Sequence, residues 1–171
     1  MNPQLDNELT AFYAEALANY RSGCRTATAI LSASSLNALA GYGISPFFIF
    51  DYVDDGVRYG EPDLETFLKV AMIRVNCFRD VLQSKPAPVE VPEKALPLKS
   101  DEFQGVSWLP RIIEKARCLL AGSLCSDIMY GCSGDRAFLA KFDATLPGFL
   151  EVVRDTSGDP EAALRYLKKG K

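Results

Sequence analysis

The 171-residue sequence contains no histidine. That absence excludes the Ser-His-Asp triad, the Cys-His dyad, zinc or haem held by imidazole, and the Glu-x-x-His pattern of di-iron bundles. Any chemistry would fall to carboxylates, lysines, tyrosines or cysteines. Long apolar runs are also missing. The longest, within SPFFIFDYV (45–53), falls far short of the ~18 residues that a membrane span needs. The opening MNPQLDNELT has neither a basic n-region nor an apolar core, so no secretory signal is expected and a cytoplasmic location is the default.

No run of clustered Lys and Arg is present. Residues 1–84 carry six basic against ten acidic groups, 85–104 three against four, and 105–171 ten against eight. An excess of two positive charges in the last segment is far from a phosphate-backbone footprint, so no nucleic-acid partner is expected. The five cysteines, Cys24, Cys77, Cys118, Cys125 and Cys132, include no C-x-x-C pair. An odd count without a signal peptide reads as reduced thiols. The last three recur every seven residues, about 10 Å apart along one helix, too far to share a metal. No metal and no cofactor are expected.

What the sequence does have is helical periodicity. Leu5, Leu9, Phe12, Ala16 and Leu17 share one face of a segment that stops at Gly23, and SSLNALAG is a short helix closed by Gly41. Ser45 and Pro46 form an N-cap and first-turn signal, and a long helix is predicted from about Pro62 through Leu82. Pro86, Pro88, Pro92 and Pro97 then interrupt all periodicity, which predicts an extended linker. Beyond it, Leu109, Ile112, Ile113, Ala116, Leu119 and Leu120 form one helical face, and Arg111, Glu114, Lys115 and Cys118 the opposite, polar one. GDRAFLAKF, LPGFLEVVRD and DPEAALRYLKK add short helices, the last capped by Asp159.

No segment alternates convincingly as a strand. The expected fold is therefore all-α: two small helical lobes, residues 1–84 and 105–171, joined by a Pro-rich linker at 85–104. At an offset of 100, LAGYGISPFFIFDYVDD lies over LAKFDATLPGFLEVVRD, and after a two-residue loss Gly60 and Pro62 meet Gly158 and Pro160. A duplicated three-helix unit would produce this echo, as would chance similarity among short Pro-started helices.

The densest local signal is DIMYGCSGDRAFL (127–139). Gly131 and Gly134 permit unusual backbone angles, and Ser133 or Asp135 is placed to cap the following helix. Cys132, just ahead of that helix, is the candidate nucleophile or redox thiol, for which burial as a small hydrophobe is the competing reading. The turn's amides could also cradle an anion with Arg111, Lys115 or Arg136, although Asp135 would compete for the same donors. A second cluster, Asp51, Asp54, Asp55, Glu61 and Asp63, is a possible oxygen-ligand set for a divalent cation, with helix capping the stronger reading.

Taken in order, YGEPDLETFL, IRVNCFRDV, GVSWLPRIIEKARCLLAGSL and MYGCSGDRAFL resemble a bacterial protein family of unknown function. The resemblance covers most of the chain from about residue 20. It picks out Leu109, Pro110, Arg111, Lys115, Ala116, Arg117, Gly122, Tyr130, Cys132 and Asp135, with Gly60, Glu61, Pro62 and Arg74 in the first half, and it implies no activity, substrate or cofactor.

These readings place a binding site between the Leu-Pro-Arg helix and the MYGCSGD turn, walled by Arg111, Lys115, Tyr130, Cys132 and Asp135, with Arg111 and Asp135 paired. The expected function is a non-catalytic binding or interaction module for a small ligand or a protein partner. The alternative is an enzyme using Cys132, with a carboxylate or Lys115 standing in for histidine. The sequence does not specify an oligomeric state.

Overall fold

In the computed structural model, residues 3–85, 87 and 89–169 are described, and α-helix dominates them. The helices are α1 (Pro3–Arg21), α2 (Ala33–Gly41), α3 (Pro46–Tyr59), α4 (Leu64–Asn76), α5 (Leu109–Ala121), α6 (Ser133–Ala140), α7 (Leu146–Asp155) and α8 (Pro160–Lys169). The all-α expectation holds. The only sheet among the described residues is a hairpin of β1 (Glu102–Phe103) and β2 (Val106–Ser107). Its two loop residues, Gln104 and Gly105, both have positive φ (49° and 76°), the handedness that two-residue hairpins require. No described helix is long and apolar enough to cross a membrane.

The chain divides into two compact units, 1–85 and 86–171. In the first, α1 packs on α3 and α4. Its core is aromatic: the ring centres of Tyr13 and Phe67 lie 5.0 Å apart, those of Phe48 and Tyr52 4.9 Å, and those of Tyr52 and Phe67 5.6 Å. Helix α4 starts later than the sequence suggests, because Asp63 is its N-cap and accepts from Thr66 N (2.8 Å). It runs directly into a π-helical turn, Cys77–Val81.

In the second unit α5 is the central element, packed by α7, α8 and β1. The Pro-rich segment belongs to this unit. Val91 N donates to Ser123 O (2.7 Å), Glu93–Ala95 form a 3-10 turn, and Leu96 is buried against Cys118 and Ile128. It is therefore not a free-running linker: one apolar side chain every few residues is enough to anchor an irregular segment. Pro86 and Pro88 lie outside the described residues.

The two units are alike at several positions one hundred residues apart. Helices α2 and α6 begin at Ala33 and Ser133, and α3 and α7 at Pro46 and Leu146. The caps correspond as well. Ser45 Oγ accepts from Phe48 N (3.3 Å) and Thr145 Oγ1 from Gly148 N (3.2 Å). Ile44 N donates to Leu39 O (3.0 Å) and Ala144 N to Leu139 O (3.1 Å). Leu9 and Leu109, Ala16 and Ala116, Leu39 and Leu139, and Val53 and Val153 are all buried. Asp63 and Asp159 each cap a helix, although Pro62 precedes its cap whereas Pro160 lies inside the first turn of α8.

Candidate functional site

The candidate site lies where α5 meets the start of α6. Its entry is Trp108, which caps α5 at φ 73°, a left-handed conformation uncommon for an aromatic residue. Trp108 N donates to Asp101 O, at 3.2 Å. Its indole ring lies against α6 so closely that a Cβ added at Gly134 would sit 2.5 Å from Cζ2. Glycine at 134 is thus required by the approach of the ring, not by backbone angle. The Lys99 ammonium lies 5.9 Å from the ring centre.

Trp108 Nε1 donates to Asp135 Oδ1 (3.0 Å), and Gly131 N to Asp135 Oδ2 (2.9 Å). Lys115 Nζ completes the set with a charged hydrogen bond to Asp135 Oδ2. Asp135 is 0% and Lys115 2% exposed. Removing two such charges from water costs several kcal/mol each, which mutual attraction and extra hydrogen bonds only roughly offset. The pair therefore specifies a geometry more than it adds stability. Lys115 Nζ also donates to Cys132 Sγ (3.3 Å), and Cys132, partly buried, is the N-cap of α6 without a side-chain capping bond. Arg136 Nη1 closes the turn on Gly131 O (2.6 Å), and Gly131, at φ 100°, has the backbone freedom this turn needs.

The structure brings Lys115, Cys132 and Asp135 together and leaves Arg111 and Tyr130 elsewhere. The expected Arg111–Asp135 pair does not form. Arg111 and Lys115 are one turn apart on α5, and Lys115 reaches the carboxylate. Arg111 instead holds the Pro-rich segment, donating to Pro97 O (2.8 Å) and Glu93 Oε1 (2.7 Å). Nor is their face of α5 a solvated polar one: Arg111, Lys115 and Cys118 are all buried, because the 91–97 segment and the 125–135 turn cover it. Tyr130 is enclosed, and its hydroxyl donates to Leu146 O (2.8 Å). Asp135 faces inward rather than capping α6. Sequence reasoning left Trp108 and the packing role of Gly134 out of the site. The available signal was a lone tryptophan immediately before a Leu-Pro helix start.

The equivalent node of the first unit holds different residues. One hundred positions earlier, Lys115, Cys132 and Asp135 are replaced by Glu15, Ser32 and Ser35. These three are also joined: Ser35 Oγ donates to Glu15 Oε2 (2.5 Å) and Ser32 N to Glu15 Oε1 (2.6 Å). Burial works to raise the Glu15 carboxyl pKa, but the hydrogen bonds from Ser35 and Ser32 outweigh it and hold the group below its ordinary value. In both units the first helix is tied to the start of the second.

Two residues of the acidic cluster, Asp54 and Asp63, serve local structure. Asp54 accepts from Tyr20 (2.5 Å) and pairs with Arg58 (3.0 Å), while Asp63 caps α4. No group of three or more Cys, Asp or Glu residues among those described is placed to hold a metal ion.

Arg74, near the end of α4, differs from the other buried charges. It is 3% exposed, and its Nη1 is enclosed with no hydrogen-bond partner. Burial lowers its pKa, with proximity to Cys77 acting in the opposite sense, yet a guanidinium stays charged at neutral pH. Its centre lies 5.2 Å from the Phe78 ring. A desolvated cation–π contact returns about 2 kcal/mol, less than the several kcal/mol that burying an unpaired ion costs.

Compared with protein-family models, curated proteins and solved structures, the chain matches none.

Proposed function

We propose that this protein is a non-catalytic binding or interaction module, built by duplication of a four-helix unit, that engages a small ligand or a protein partner. The observation that supports this reading is the equivalence of Lys115–Asp135–Cys132 with Glu15–Ser35–Ser32. Both nodes tie one helix to the start of the next, and they do so with unrelated chemistry. A tether constrains only the geometry of its two ends, so its residues are free to change as long as a strong hydrogen bond remains. A catalytic centre needs a particular nucleophile and base. The resemblance to a bacterial family of unknown function belongs to the same proposal, as do a cytoplasmic location and the absence of a nucleic-acid partner.

A second reading rests on one contact. Cys132 is only partly buried and receives a hydrogen bond from an ammonium group, an arrangement a thiol nucleophile or redox thiol would use in place of Cys-His. Alkylation with iodoacetamide at neutral pH, followed by peptide mass analysis, separates the two. As a tether, Cys132 should react no faster than glutathione, and Cys132→Ser should retain the native fold. A rate far above that of glutathione, with Cys24 and Cys77 silent, would put the enzyme reading first.

A further inference from the structure

We propose that Arg74 anchors a binding site in the first unit for a small oxyanion, a phosphate or carboxylate group carried by a free small molecule. This site is separate from the Lys115–Asp135 node and does not depend on how Cys132 behaves.

Contrast among the buried charges carries the argument. Arg111, Lys115 and Asp135 are each matched by an opposite charge. Arg74 is as deeply buried, yet its side chain forms no hydrogen bond or ion pair with any described residue, and Nη1 is sealed from solvent without a partner. The guanidinium centre lies 5.2 Å from the centre of the Phe78 ring, with Cys77 nearby. Hydrogen-bond donors fixed in a fork and desolvated are what a bidentate oxyanion matches, and the low local dielectric strengthens the attraction. A neutral polar ligand would leave the charge uncompensated, and a cation would be repelled.

The surrounding backbone is also specialised. The helix changes from α to π immediately after Asn76, a distortion often found at functional sites. The Phe78 ring beneath the guanidinium is held against the α2–α3 turn, where a Cβ at Gly43 would lie 2.5 Å from Phe78 Cγ. The ring therefore has little room to move, and the guanidinium resting on it is preorganised.

The test uses the full chain and two probes, inorganic phosphate and acetate, each titrated to about 20 mM at constant ionic strength while the arginine Nε–Hε resonances are followed. Arg74 is assigned through its backbone and confirmed by loss of its signal in Arg74→Lys. We expect the Arg74 resonance to shift and saturate with at least one probe while the other arginines do not. At ten times the dissociation constant the folding equilibrium should shift about elevenfold towards the native state, raising the unfolding temperature of the native protein but not of Arg74→Met. Saturation by phosphate alone assigns a phosphate group, and saturation by acetate alone a carboxylate. A resonance that never saturates with either probe overturns the proposal, as does an equal thermal response in native protein and Arg74→Met.

Discussion

Replacing Asp135 by asparagine keeps the side chain's shape and removes its charge, leaving the Lys115 ammonium buried beside a neutral amide and the Cys132 sulfur. Both partners are almost fully enclosed, with side chains 3% and 0% exposed, so solvent cannot restore what is lost. Breaking such a pair costs about 3–5 kcal/mol, a large share of the 5–15 kcal/mol that typically holds a domain folded. Lys115→Met should cost somewhat less, about 3 kcal/mol, because the carboxylate keeps its bonds from Trp108 and Gly131. In the double variant neither charge is stranded, so its cost should fall short of the summed singles by about 2 kcal/mol. Urea unfolding followed by tryptophan fluorescence reads this directly, since Trp108 is the only tryptophan and donates to Asp135 itself. Costs below about 1 kcal/mol for Asp135→Asn, or strict additivity in the double variant, would refute the tether and place the pair in contact with water.

Gly134→Ala should destabilise the second unit by about 1–3 kcal/mol and change Trp108 emission, because its Cβ would meet the indole at 2.5 Å; unchanged emission and stability would contradict that packing. Arg111→Met should free the segment it holds through Pro97 and Glu93, seen as faster tryptic cleavage at Lys94 and Lys99 while the helical circular dichroism persists. The first unit should weaken in acid through Glu15. Its carboxyl pKa is depressed by folding, so its contribution is complete above the ordinary value of 4.5 and is lost as pH falls through the lower folded value. Glu15→Gln should therefore show a smaller drop in unfolding temperature between pH 6 and pH 3 than the native chain.

Most helices, several of their caps and the apolar faces of α1 and α5 were legible from sequence because each depends on residues within one or two turns. Ser45 with Pro46, and Asp159 with Pro160, mark their helix starts wherever those helices pack. The likeness of α2 and α3 to α6 and α7 was partly legible as an echo at an offset of 100, whereas that of α1 to α5 was not, since these share buried positions but few identities. Which cation meets Asp135 was not legible at all. Arg111 and Lys115 lie one turn apart on the same face of α5, and the choice depends on how far along α5 the turn before α6 crosses. The same holds for Arg74, whose charge reads from sequence as an ordinary helix-end arginine. Only tertiary packing removes it from water and gives it no counter-charge, because burial and pairing are settled by residues distant in the chain, whereas helix starts and stops are settled by neighbours.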